Sequence, residues 1–126
     1  MLQKYDFSIT QQVTESFVIQ IRDTNQNPRD LTGHEFLLQC RSTPTSSTTL
    51  FTLSSTASPQ TITLGQTDST TTVFDEIILV LTHDLTKDVE FDKGVYDLLM
   101  YLPDKSHVEM LMSGTVTLKR SVTKLA

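Results

Sequence analysis

Apolar residues recur at every second position in several stretches of this chain. Phe17, Ile19 and Ile21 fall on one side of a run whose Ser16, Gln20 and Arg22 fall on the other. Phe36, Leu38 and Cys40 repeat the alternation, and Tyr5, Phe7 and Ile9 form a shorter one near the start. A period of two puts such residues on one face of a strand and on no single face of a helix. The run through Arg22 ends in Asp23-Thr24-Asn25-Gln26-Asn27-Pro28, and Asp30-Leu31-Thr32-Gly33 follows. This pattern predicts two strands joined by a polar hairpin loop and a tight corner. Leu31 turns inward there, and Gly33 is free to take a positive φ.

Further along, Leu50–Leu53 and Thr61–Leu64 predict short strands of the kind found at sheet edges, set among Ser, Thr, Pro44, Pro59 and Gly65. Ile77-Ile78-Leu79-Val80-Leu81 is apolar at consecutive positions, which predicts a strand covered on both faces. Thr82 or Asp84 then caps one short crossover helix over residues 83–89, with Leu85 and Val89 pointing inward at i and i+4. Tyr96, Leu98, Met100 and Leu102 alternate in the next strand, and Pro103-Asp104-Lys105-Ser106 supplies a turn. Val108, Met110, Met112, Gly114, Val116 and Leu118 alternate in a last long strand that completes a hairpin. The whole predicts a single all-β domain over residues 1–126, an antiparallel β-sandwich.

Composition narrows this picture. A chain of 126 residues with 37% hydrophobic content and no Trp fills one thin two-layer core and leaves no room for a second ordinary domain. The net charge of −5 and the scattered basic residues give no electrostatic footprint for nucleic acid, and no apolar run reaches the length of a membrane span. A lone cysteine excludes an internal disulfide. Met1-Leu2-Gln3-Lys4-Tyr5-Asp6 lacks the basic and apolar regions of a secretory signal, which predicts synthesis and folding in a cytoplasm.

Candidate chemistry is sparse. Cys40 shares a face with Phe36 and Leu38 and reads as a small core hydrophobe rather than a nucleophile. His34, His83 and His107 stand apart, with no second ligand at metal-binding spacing, and His83-Asp84 reads as a helix start. The acidic groups Asp75-Glu76 and Asp88, Glu90, Asp92 lack the glycine and terminal Glu of a calcium loop and read as solvated loop residues. No phosphate-cradling glycine loop is present. No enzyme, metal or cofactor is expected. What stands out is apolar side chains on both faces of some strands, since an outer sheet face normally meets water. Ile78, Val80, Leu99, Tyr101 and Leu111 are the expected protein-contact positions.

The order of several elements resembles a family of small tail- and baseplate-associated proteins of tailed bacteriophages and prophages. The resemblance rests on Tyr5-Asp6-Phe7-Ser8-Ile9, the polar turn Asn25 to Pro28, and Asp30-Leu31-Thr32-Gly33 with a strand ending in Gln39-Cys40-Arg41. It extends to Gly94-Val95-Tyr96-Asp97-Leu98 and Gly114-Thr115-Val116. The chain departs from the family pattern in carrying Gln11-Gln12 where members have Gly, and in lacking Trp in the second strand. The resemblance implies an immunoglobulin-like sandwich and a non-enzymatic structural role in the virion. The protein would be made in the bacterial host's cytoplasm and would dock with itself and other virion proteins at the tail, baseplate or neck. Two alternatives remain at this level: a capsid decoration protein, or a carbohydrate-binding module for host attachment.

Overall fold

The computed structural model describes residues 3–58 and 60–123. Along the chain come β1 (Gln3–Lys4), β2 (Phe7–Thr10), β3 (Glu15–Gln20), β4 (Glu35–Arg41), β5 (Phe51–Ser54), β6 (Ile62–Gly65) and β7 (Glu76–Leu81). A single helical turn, α1 (His83–Thr86), follows, then β8 (Lys93–Tyr101) and β9 (Glu109–Lys119). One sheet, sheet A, has the order β1–β9–β8–β4–β5, with β2 also on the β1 edge of β9. The other, sheet B, has the order β3–β7–β6. Two facing sheets with this strand order form an immunoglobulin-like β-sandwich.

Two expectations about strand pairing change. The N-terminal strands pair with β9 in parallel, Gln3 opposite Met112 and Phe7 opposite Val116, whereas all other named pairings are antiparallel. And β3 and β4 are not a hairpin: they lie in different sheets, so the segment between them crosses the sandwich. Leu31 anchors that crossing. It is fully buried, and its N–H donates to the Phe74 carbonyl at 2.8 Å. Asp30 accepts from the Thr32 hydroxyl (2.7 Å), and Gly33 takes φ +84°, as the corner requires.

The inward positions form one core. Phe36, Leu38 and Cys40 from β4 meet Ile77, Leu79 and Leu81 from β7, with Tyr96, Leu98 and Met100 from β8 in the same cluster. Ile78 and Val80 point the other way and are only half-buried, so the apolar run of β7 is covered on one face and partly open on the other. The short helix ends at Thr86, earlier than 89. Thr82 sits at its N-cap with extended backbone but makes no side-chain capping bond. The helical turn and the residues after it are held instead by the Gln11–Gln12 turn that follows β2. Thr86 Oγ1 accepts the Gln12 N–H at 2.8 Å, and Gln11 Nε2 donates to the Val89 carbonyl at 3.0 Å.

The last hairpin contains a β-bulge. Leu98 faces Met112 but Leu99 faces Met110, so Leu111 is the extra residue. Inward alternation therefore restarts at the bulge. Leu111 and Met112 are both buried, while Met110 is 40% and Val108 58% exposed. Val108 and Met110 thus do not continue the inward stripe of Met112, Val116 and Leu118.

The N-terminal segment kinks at Tyr5–Asp6, between its two pairings with β9. The buried Tyr96 hydroxyl donates to the Tyr5 carbonyl at 2.6 Å, the Tyr5 N–H donates to the Ser113 carbonyl at 3.0 Å, and Asp6 Oδ1 accepts the Thr115 N–H at 2.9 Å. Gly114 lies beneath the kink. A Cβ there would overlap the Tyr5 carbonyl oxygen and stand 2.8 Å from Asp6 Oδ1. Burial, with the Asp6 charge nearby, raises the Tyr96 hydroxyl above its ordinary pKa, so it stays a donor throughout the physiological range. The Gly114→Val variant is expected to lose about 2 kcal/mol or more, because the clash is with backbone that cannot rotate away. Thermal melting followed by circular dichroism should fall by about 5–10 °C. An unchanged melt would show that the kink does not depend on this contact.

Candidate interaction surfaces

Several of the side chains that suggest chemistry are occupied structurally. Cys40 is buried in the core, and desolvation pushes its thiol up to about 12, far from a reactive thiolate. His83 Nδ1 lies 2.8 Å from the Gln12 carbonyl, and His34 Nδ1 lies 3.2 Å from the carbonyls of Leu31 and Thr32. Asp84 pairs with Lys87 at 3.4 Å, and Asp92 with Arg120 at 3.2 Å. Asp75 is the one buried carboxylate among the described residues. Burial alone would raise its pKa. Donors from the Gln20 side chain (2.9 Å) and the Thr67 N–H (2.9 Å) outweigh that and hold it below the usual carboxylate value. Asp75 therefore fastens β3 to the 66–74 loop. Among the described residues no three His, Cys, Asp or Glu side chains cluster to hold a metal ion.

The outer face of sheet A follows from the register. Leu37 lies opposite Leu99, and Leu99 lies opposite Met110, so one apolar row crosses β4, β8 and β9. Val108, 58% exposed, directly precedes β9. The adjacent rows are more polar: Gln39, Asp97 and Ser113, then Arg41, Val95 and Thr115. These rows floor a shallow groove of about 580 Å³, with Pro44 on one rim and Lys4 on the other. Arg41 is held by its own neighbourhood, donating to the Ser46 carbonyl at 2.9 Å and to Gln39 Oε1 at 2.9 Å. The loop after β4 thus borders the face without covering the Leu99 row.

Three of the five expected contact positions are placed outward. Leu99 is half-buried on the outer face of sheet A, and Ile78 and Val80 are half-buried on that of sheet B. Two are corrected. Leu111 is 1% exposed and belongs to the core, because the bulge turns it inward. Tyr101 is 7% exposed, and the turn after β8 folds back so that Lys105 Nζ sits 4.5 Å above its ring and 3.8 Å from Glu35 Oε1. Sequence reasoning missed Met110, Val108 and Val18. Nothing in the residue types marks the bulge that frees the first two. Val18 was legible, since it sits between Phe17 and Ile19 and must face the opposite side. It is 59% exposed and lies opposite Ile78 on the outer face of sheet B.

One end of the sandwich is clamped electrostatically. Arg29, in the segment between β3 and β4, donates to both carboxylate oxygens of Glu109 at the start of β9, at 2.7 and 2.9 Å. Such bidentate pairs fix orientation as well as attraction. The hydrogen bonds from Arg29 hold the Glu109 carboxyl down to about 2.

No family model and no curated protein matches the chain. Among solved structures it is similar to one from site-directed photo-crosslinking work on multimeric cell-adhesive interactions of VGSC beta subunits. The identity is 16% over 95% of this chain and 93% of that one, with a TM-score of 0.40. At that distance the likeness carries no functional information.

Because the folded-state pKa of Glu109 lies below its unfolded value of 4.5, the pair's contribution to stability is complete above pH 4.5 and disappears as pH falls toward 2. Melting temperature should therefore drop over this window in the parent protein, and part of that drop should be absent in Glu109→Gln. Equal pH slopes for the two proteins would count against the clamp. A second measurement addresses Cys40: a thiol reagent should modify the folded protein at the rate of global unfolding and modify the denatured chain at once. Rapid labelling of the folded protein would contradict the core placement.

Proposed function

We propose that this chain is a non-enzymatic structural protein of a bacteriophage particle. It docks through the outer face of sheet A onto other virion proteins at the tail, baseplate or neck. The observation that carries the proposal is the Leu37–Leu99–Met110 row with Val108 beside it, an apolar strip on a sheet face that ordinarily meets water. The ordered set of sequence elements running from Tyr5 to Val116 supports the virion setting. The mechanism is repetition: a modest interface multiplied by the symmetry of a ring or lattice becomes long-lived without any one contact being strong. Ile78 and Val80 on the opposite sheet offer a second, smaller apolar area.

Decoration of the capsid uses the same physics at another place, and copy number distinguishes the two. Hundreds of copies per particle fit a capsid lattice, and a few to a few tens fit the tail. The carbohydrate-binding alternative finds less support. The groove on sheet A is floored by Gln39, Asp97, Leu99 and Ser113, and Tyr5 is the one strongly exposed aromatic ring among the described residues.

The double variant Leu99→Lys, Met110→Asp puts opposite charges across the β8–β9 pair, so it should keep the parental melting temperature within a few degrees, and it should reduce incorporation into purified particles about tenfold or more. Quantitative mass spectrometry of the particles reads both incorporation and copy number. Absence of the unmodified protein from purified particles, or unaltered incorporation of the variant, would refute the proposal.

A further inference from the structure

Sheet B ends at β3, whose outer edge has no neighbour among the described residues. Of the other outer edges, those of β5 and β6 are four residues long and that of β1 and β2 is broken by the Tyr5–Asp6 kink into two- and four-residue pieces, whereas β3 has six. Backbone polarity along this edge is fixed by its partner. The Ile21 N–H donates to the Asp75 carbonyl at 2.8 Å, and the Val80 N–H points the other way, to the Thr61 carbonyl at 2.9 Å. In an antiparallel ladder these directions alternate. Glu15, Phe17 and Ile19 therefore bond toward β7, and Ser16, Val18 and Gln20 turn their N–H and C=O groups out of the sheet. No backbone–backbone bond outside the ladders involves these three residues among those described.

The side chains around the edge are also incompletely covered. Phe17 and Ile19 face the core yet remain partly exposed, and Val18 is 59% exposed on the other face. Beside the edge a cleft of about 270 Å³ opens, lined by Lys4, Tyr5, Val18, Ile19, Gln20 and Met112. A six-residue edge with apolar residues on both sides and no proline or bulge is a template for a further strand; its one inward charge, Glu15, lies at the end of β3 and is occupied by the Thr10 N–H at 2.6 Å.

We infer that the occupant of this edge is the β3 edge of a second copy of this chain, related by a two-fold axis that passes between the two Val18 residues. The register follows from which backbone groups are free. Residues that bond across an antiparallel pair must be those turned outward on both strands, so Ser16, Val18 and Gln20 of one copy can bond only to Ser16, Val18 and Gln20 of the other. The alignment that uses all three sets Val18 opposite its own symmetry mate and Ser16 opposite Gln20, with about six N–H···O=C bonds. The same alignment pairs like with like on both faces. Phe17 meets Ile19 on the core side, Val18 meets Val18 on the outer side, and the polar Ser16 and Gln20 meet each other. A two-fold interface needs this self-complementarity, and the Ser16–Gln20 segment has it about Val18. The two copies of sheet B become one continuous sheet. This inference does not depend on the virion proposal.

Sedimentation equilibrium of the purified chain over a wide concentration range should show reversible association to twice the 14.2 kDa chain mass. Val18→Pro removes an N–H that points away from β7, so it should abolish dimerisation while the far-ultraviolet spectrum stays that of a β-protein. Should that variant unfold, Val18→Lys tests the same edge by charge repulsion at the dyad. The register has its own test. Paired residues at a bonded antiparallel site have Cα atoms about 5.5 Å apart, within disulfide range. Val18→Cys should therefore form a covalent dimer under mild oxidation, and Ser16→Cys, which faces Gln20 across the dyad, should not. A parent protein that stays monomeric at every concentration, a dimer that survives Val18→Lys, or cross-linking by Ser16→Cys in preference to Val18→Cys would each overturn the inference.

Discussion

The sandwich depends on how its first residues are fastened along the last strand. Tyr5 and Asp6 interrupt the parallel pairing with β9, and their backbone groups must be bonded at the kink. The Tyr96 hydroxyl, reaching from the centre of sheet A, bonds the Tyr5 carbonyl, while Asp6 takes the N–H of Thr115. Gly114 gives the room for this close approach. From there Phe7 enters the core, edge-on to Phe17 at 5.0 Å and 5.1 Å from the Tyr96 ring. One constraint thus joins the N-terminus, the middle of sheet A and the edge of sheet B. It also decides where the N-terminal strands go. Committed to β9, they leave β3 without a neighbour.

Much of the fold was legible because side-chain period and burial are tightly coupled in strands. Phe36, Leu38 and Cys40, or Ile77, Leu79 and Leu81, alternate in sequence and are buried in alternation. What the period cannot reveal is which sheet a strand joins. The 23–33 segment has good turn residues, yet β3 and β4 separate because Leu31 is worth more in the core, bonded to Phe74, than at the tip of an exposed hairpin. Nor does the period announce an added residue. Counting by twos through β9 places Met110 inside and Leu111 outside, and the bulge opposite Leu98–Leu99 reverses both. Tyr101 failed for a third reason. Its parity is outward, but Lys105, at φ +69°, brings an ammonium over the ring. Loop closure over a neighbouring strand is a tertiary event that local pattern does not encode.

Edges and faces are distributed unevenly over this molecule. The β5 edge is tied to the second sheet, because the Thr61 N–H donates to the Ser54 carbonyl and Thr61 Oγ1 accepts the Ser54 N–H. The β6 edge is four residues long and ends in Gly65. Both are blunted as strand templates, and the β1–β2 edge is broken at its kink, which leaves β3 as the longest uninterrupted open edge. The apolar row of sheet A lies on the opposite layer of the sandwich from Val18, so occupation of one surface need not block the other.

That separation has a geometric consequence. Antiparallel strands paired across a two-fold axis keep the same residues on the same face, so the axis stands perpendicular to the joined sheet. Both copies of sheet A then lie on one side of it, and both Leu37–Leu99–Met110 rows face in one direction. A partner surface that repeats its own site at matching spacing would be gripped twice. After the first contact forms, the second is intramolecular, with an effective concentration in about the millimolar range when the spacing matches and none when it does not. Discrimination would then come from spacing as well as side-chain fit. A lone apolar row of three residues cannot provide that selectivity, and a symmetric particle, with its fixed repeat, presents the kind of surface that can use it.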